Sequence, residues 1–437
     1  MSAPPFHLGW FLQGSSIQAW NAPWTGNISE EWMRADLFVD LGRQLERAGF
    51  DYLLLEDSIY VGENWQASRD IFLKNGMSIP RQEPSVIATL IAQATQRLGV
   101  VATLSTFAYH PYLTARIIGT LDQVSTGRAG WNMVTGSSDL SAQNFGMDAL
   151  PPHDKRYEMA HDYIDVVTKL WGSWDADAII ADRKTGVLID PSKVRTIDHR
   201  GPYYASRGPL NSGPAPQGRP VIAQAGGSGP GRAIAAKYAD TIVASTKGVA
   251  AMKEYRDDVR AQMRALGRDP DSCKVLFLIF PTIAQSKEEA DIRVARRLAD
   301  AQDNIDIRLA QLGWITNLDL SGADLDAPVG ELTTNGHQSS LATFIKRAAG
   351  KTLREAIVNY STTGGSYDFA GTPDSIAAEM DEVMQEVGGD GFLISLGDMS
   401  RRSIADVTDG LVPALQQRGL VRRGYEHAQF RENLLAF

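Results

Sequence analysis

The chain has 437 residues and a single cysteine, Cys273. One thiol cannot close an intrachain disulfide or build a cysteine-based metal cluster. Placed just before the run Lys274-Val275-Leu276-Phe277-Leu278, it reads as a buried strand cysteine rather than a reactive thiol. Histidine is also scarce. The seven histidines include no H-x-x-x-H or H-E-x-x-H pair, so a zinc site has no ligand set. No G-x-S-x-G elbow is present, which disfavours a serine hydrolase. No apolar run approaches the ~18 residues of a membrane span, and the N-terminus lacks the basic and apolar regions of a signal peptide. These absences predict a cytoplasmic protein. Basic residues are outnumbered, 43 Lys and Arg against 52 Asp and Glu, and an acidic balance argues against nucleic acid as the main partner.

What is there is alternation. Short apolar runs at 7–12, 51–55, 98–105, 129–134, from 221, 240–244, 275–283 and 389–394 are separated by amphipathic stretches. Helices are predicted at 30–48, from Pro84, at 111–124, 156–171, 288–312, 372–387 and 404–418. The strands are mostly apolar on both faces, as parallel strands covered on both sides should be. Eight such units predict an α/β fold, a TIM (β/α)8 barrel with insertions, ahead of a doubly wound open sheet. The chain is read as one barrel domain over 1–437. Its main insertions lie at about 175–219, with short hairpins, and 313–365, with little strand character.

Between the strand at Val221 and a helical run lies QAGGSGPGR, Gln224 to Arg232. Its glycines do not have the G-x-G-x-x-G spacing of a dinucleotide site, and it lacks the Gly-Lys-Ser/Thr ending of a P-loop. At the C-terminal mouth of a barrel, exposed backbone N–H groups, the Ser228 hydroxyl and a helix start fit a single phosphate monoester, with Arg232 a possible added charge. A plain capped turn fits the same residues. Other strand ends bring Asp57, Thr103, Ser105, Asn132 and Thr135 to that mouth. His153 and Tyr157, four residues apart at a helix start, share one face.

Several stretches together resemble the bacterial luciferase superfamily of flavin-dependent monooxygenases, in the branch acting on nitrilotriacetate, EDTA and dibenzothiophene sulfone. They are LGVVATLSTFAYHPYLTAR (98–116), TLDQVSTGRAGWNMVTG (120–136), NFGMD (144–148), HDKRYEMAHDYIDVVTKLWGSWD (153–175), HRGPYYASRGPLNSGPAPQGRPVIAQAG (199–226) and FAGTPDSIA (369–377). The resemblance implies that Asp57, Thr103, His153, Tyr157 and Ser228 contact FMN, bound as FMNH2, with Ser228 on the phosphate and Asn132 a further candidate. It implies a separate NAD(P)H:flavin reductase as partner, O2 and a small organic substrate, C–S or C–N bond cleavage, and a homo-oligomer. It names no catalytic acid or base. An F420-dependent oxidoreductase and a non-catalytic flavin-binding protein are the alternatives. The first loop departs from the branch: Trp20 is present, but Gly14-Ser15-Ser16-Ile17-Gln18 carries no histidine pair. Trp20, Trp24 and the 313–365 excursion are candidate lids.

Overall fold

A computed structural model describes residues 4–13, 34–362, 365–397 and 399–437. Eight parallel strands close into a barrel: β1 (His7–Leu12), β2 (Tyr52–Leu55), β3 (Gly99–Ser105), β4 (Ala129–Val134), β5 (Val221–Gln224), β6 (Thr241–Ala244), β7 (Lys274–Ile279) and β8 (Gly391–Ile394). Each strand pairs with its neighbour in chain order, and β8 closes on β1 with His7 opposite Gly391. The open-sheet alternative is thereby excluded.

Around the barrel run α1 (Asp36–Ala48), α2 (Pro84–Ala94), α3 (Pro111–Val124), α4 (His153–Trp171), α5 (Gly229–Tyr238), α6 (Val249–Ala265) and α7 (Pro373–Val387). Local chemistry sets several boundaries. Pro84, Pro111 and Pro373 occupy first-turn positions, where a missing N–H costs nothing, behind the caps Glu83, His110 and Thr372. In α1, Leu37, Leu41, Leu45 and Ala48 are buried, and Gly49 ends the helix in the left-handed conformation (φ 87°). The predicted start of this helix, at residue 30, lies outside the described residues.

Inside the barrel, Tyr52, Leu54, Val101, Val221, Ala223, Val243, Leu276 and Leu393 form the packed interior. Gly9 and Gly130 make room for this layer: β-carbons there would fall 2.5 Å from Leu393 and 2.9 Å from Val101. Phe430 and Leu434, from the C-terminal helix Phe430–Leu434, plug the N-terminal floor. The opposite, C-terminal end carries polar side chains.

Some boundaries differ from expectation. The apolar run 275–283 is not one strand. Pro281, which lacks an N–H, follows β7, and Thr282–Ile283 pairs with Ala370–Gly371 outside the barrel. The predicted helix 288–312 is two helices, Lys287–Asp303 and Ile305–Thr316, separated at Asn304, whose side chain turns back onto Asp300. The 313–365 excursion is helical: Ile305–Thr316, Gln338–Ala348 and Leu353–Thr362 pack together around Leu309, Leu312, Phe344 and Ile357. Helix α4 begins at His153, three residues before the expected start at Arg156. The last helical stretch starts at Arg401 and includes a π-helical segment, Asp406–Leu411.

The 175–219 insertion does contain short hairpins, Ile179–Asp182 with Val187–Ile189 and His199–Arg200 with Ala205–Ser206. Asp162 of α4 anchors the second. It bonds His199 Nε2 and accepts the backbone N–H groups of Tyr203 and Tyr204, each at 2.8 Å. Cys273 is buried, and its thiol pKa is pushed far up by burial.

Candidate active site at the barrel mouth

Along β3 the side chains of Val101, Thr103 and Ser105 alternate onto the barrel interior. Thr103 and Ser105 sit above the apolar layer and both are buried. Asn132 pairs with Thr103 in the β3–β4 register and donates to its Oγ1 at 2.8 Å, while Thr103 donates to the Leu55 carbonyl at 2.6 Å. Three strand ends are thus tied by one chain of hydrogen bonds. Thr103 is fully engaged by the protein, whereas the Asn132 Oδ1 and the Ser105 hydroxyl have no partner. A buried polar atom without a partner costs about 1–3 kcal/mol, and two on adjacent strand ends leave hydrogen-bonding capacity for a polar ligand. Thr135, just past the end of β4, is also buried.

The glycine loop closes another side. Ser228 caps α5, accepting from the Gly231 N–H at 3.2 Å, which leaves its own hydrogen free to donate outward. Small residues are required here. A β-carbon at Gly231 would fall 2.9 Å from Gly226 Cα, 3.1 Å from Tyr157 Oη and 3.2 Å from Ser228 Oγ. The Tyr157 hydroxyl therefore stands directly over the loop. One turn earlier, the His153 ring packs against Tyr157, with centroids 5.0 Å apart and planes tilted by 59°. Its Nδ1 bonds Asp154 at 2.8 Å. His153, Tyr157 and Ser228 thus meet at the loop.

Arg232 does not join them. Its guanidinium pairs with Asp258 at 2.8 Å and lies over the Tyr255 ring, while Tyr255 donates to the Gly226 carbonyl at 2.6 Å. The arginine supports the loop from outside, and the added charge expected from it is spent on an ion pair.

Asp57 follows β2 at the opposite wall. Burial raises its pKa to about 7; Arg81 opposes the shift, and Glu56 and Glu83 add to it. Arg81 is itself bound to Glu56 at 2.6 Å, so its charge only partly offsets the burial of Asp57, which is placed to hold or release a proton near neutrality. Beside it opens a cavity of about 730 Å³ walled by Ile59, Tyr60, Val61, Leu73, Ile79 and Arg81.

The inserted helices reach this mouth. Arg156 of α4 donates to the Pro151 carbonyl at 2.6 Å and to the Asn335 side chain and carbonyl at 3.2 and 2.8 Å. His337 follows. It is exposed at the start of the inserted helix Gln338–Ala348. Sequence reading passed over both residues. The apolar spacing of Leu341, Phe344 and Ala348 was the available signal that a helix follows them. The Trp20 and Trp24 lid candidates lie outside the described residues. Among the described residues no cluster of His, Cys, Asp and Glu could hold a metal, and no helix is long and apolar enough to cross a membrane.

This polar mouth over an apolar barrel has known counterparts. The luciferase-like monooxygenase family matches residues 11–391. The chain belongs to that family. This luciferase-like monooxygenase is 32% identical to the dibenzothiophene-sulfone monooxygenase of Rhodococcus erythropolis (strain XP), over 98% of this chain and 96% of the relative. It is also 32% identical to nitrilotriacetate monooxygenase component A of Aminobacter aminovorans, over 98% and 96% of the two chains. Among solved structures it superposes on a riboflavin lyase crystallised with modified FMN and riboflavin, with a TM-score of 0.89, 32% identity and coverage of 99% and 96%. Relatives this similar act on a sulfone, an aminopolycarboxylate and a flavin. Substrate is therefore not shared among these relatives.

Proposed function

We propose that this luciferase-like monooxygenase binds reduced FMN at the barrel mouth and uses O2 to oxygenate a small organic substrate, with cleavage of a C–S or C–N bond. The observation that carries the reading is the pairing of a glycine cradle under the Tyr157 hydroxyl with the unpartnered Ser105 and Asn132 atoms across the mouth. A phosphate suits the first and a polar heterocycle edge the second. In this reading Ser228 and Tyr157 donate to the FMN phosphate, and His153 packs near it. Thr103, through its bond to Asn132, holds the amide that faces the ring, and Asp57 meets the ring's polar edge from the far wall. The flavin supplies the chemistry of oxygen activation when bound. The chain's own residues bind it, orient it and keep water from the reacting face.

The cavity beside Asp57 is large enough for a small organic molecule, and we assign the substrate to it. Asp57, with its pKa near neutrality, is placed to hold a proton beside that substrate. The glycine loop has no dinucleotide fingerprint, which fits a separate NAD(P)H:flavin reductase as the source of reduced cofactor. The name component A of the nitrilotriacetate relative is consistent with such a division.

Anaerobic titration with photoreduced FMN, followed by turnover with a generic flavin reductase and a panel of sulfones, thioethers and aminopolycarboxylates, tests the reading. The expected result is saturable flavin binding and an oxygenated or cleaved product from one class. Absence of flavin binding overturns it.

A further inference from the structure

The insertion and the glycine loop touch at a place that no assignment above uses. The inserted helix Gln338–Ala348 begins at His337 without a side-chain hydrogen bond to cap it, so its first N–H groups have no intrahelical partner. This start abuts the loop: a β-carbon at Gly227 would fall 2.8 Å from Ser339 Cβ and 3.0 Å from Ser339 Oγ. The Ser339 carbonyl accepts from Thr343 at 2.8 Å, but the Ser339 hydroxyl makes no hydrogen bond among the described residues.

The next residue in the loop after Gly227, Ser228, caps the start of α5. Below the loop, the Gln224 amide lies against Gly226. Gln224 is 3% exposed, and its Oε1 has no partner. The position of the inserted start is fixed. Arg156 holds Asn335, and Gly336 is wedged so tightly that a β-carbon there would fall 2.8 Å from both the Ser137 and Thr316 carbonyl oxygens.

We infer that the FMN phosphate is gripped between two helix starts, one from the barrel and one from the insertion, with the Ser339 hydroxyl and adjoining N–H groups donating to phosphate oxygens opposite Ser228. The inference rests on the FMN reading above. Its physical basis is charge. A phosphate monoester carries about −1.5 to −2 at neutral pH, and one helix start presents only roughly +0.5 of compensating charge. The loop's one cationic residue, Arg232, is committed to Asp258. A second uncapped helix start supplies what the loop lacks. It also makes the phosphate a tie between barrel and insertion.

The test compares FMN with riboflavin, which has the same ring and no phosphate, by fluorescence quenching and by competition. The proteins are wild type, Ser339→Ala, Ser339→Thr, Ser339→Asp and Ser228→Ala, each checked for an unchanged thermal midpoint. Ser339→Ala is expected to weaken FMN roughly 5- to 100-fold, in line with one hydrogen bond to a charged oxygen, and to leave riboflavin unchanged. Ser339→Thr should restore FMN binding, and Ser339→Asp should weaken FMN more than Ser339→Ala does. Equal losses for FMN and riboflavin, or no loss in any Ser339 variant while Ser228→Ala still weakens FMN, overturn the inference and leave the FMN reading standing. A wild type that does not prefer FMN to riboflavin, together with a silent Ser228→Ala, overturns the FMN reading itself.

Discussion

The two ends of the barrel treat their carboxylates differently. At the floor each carboxylate is enclosed by donors. Asp51 accepts from His7, the Leu8 N–H and Arg422 at 2.9, 2.9 and 2.5 Å. Asp240 accepts from Arg219, Arg431 and the Ile222 N–H at 2.7, 2.6 and 2.8 Å. Asp390 accepts from Arg256 and the Val275 N–H, both at 2.9 Å. These groups join the strand starts to the C-terminal segment and to the surrounding helices. At the mouth, by contrast, Ser105 and Asn132 have buried atoms with no partner, and burial raises the Asp57 pKa by more than Arg81 lowers it. The floor is built for stability. The mouth gives up stability to keep polar groups available, as ligand sites must.

The contrast can be broken most severely at the floor. Asp51→Asn leaves the Arg422 guanidinium and the His7 ring without their carboxylate, and breaking a buried pair costs about 3–5 kcal/mol. Urea denaturation should show this loss, while FMN affinity per folded molecule stays unchanged. Burial alone would raise the Asp51 pKa, but His7, Arg422 and the bonds it accepts bring it below the ordinary carboxylate value. Its stabilisation is therefore present above pH ~4 and lost on further acidification, and the mutant should lack this acid-dependent loss.

At the mouth, Ser228→Ala should weaken FMN by roughly 1–3 kcal/mol, with a smaller effect on stability through the lost cap. Equilibrium titration measures the first and thermal melting the second. An equal loss in both would erase the distinction between the two ends.

Asp57 sharpens the comparison through pH. Its folded pKa of about 7 lies above the ordinary carboxylate value of 3.8, so the protein binds an extra proton on folding between these values. Stability from this group is fully present below pH ~4 and declines as pH rises through about 7. That is the reverse of Asp51. Asp57→Asn should flatten the fall in thermal midpoint between pH 4 and 7.

The smallest effect is expected at Ser105. Removing an unpartnered hydroxyl with Ser105→Ala should leave stability unchanged or slightly raised, and a measured loss above about 1 kcal/mol would mean the hydroxyl has a structural partner. FMN affinity should fall if that hydroxyl meets the ring.

Much of the barrel was legible because its periodicities are local. Thr103 and Ser105 fall on the interior by simple alternation, and the strand–glycine–helix order at 221–238 placed Ser228 at the mouth. His153 and Tyr157 could be paired from helical spacing alone. Arg232 could not be read this way, because its fate depends on Asp258, one helix further on. The 313–365 region was read as an excursion with little strand character, which holds, but its helices went unread because Gly, Asn and Thr residues around 330–340 mask the helical spacing of Leu341, Phe344 and Ala348. The contact of Ser339 with Gly227 joins segments more than a hundred residues apart, and no local pattern encodes it.

By itself the sequence determined the number and order of the strands, the layer that fills the barrel, and the residue types available at the strand ends. These follow from apolar periodicity and from what glycine and proline do to the backbone, both of which act over a few residues. Tertiary closure alone decided which polar atoms at the mouth go unpaired, that Arg232 faces away, and that an inserted helix start meets the glycine loop. Each depends on which distant donors fill a carboxylate or leave a hydroxyl free, and only the closed barrel brings those groups within hydrogen-bond reach.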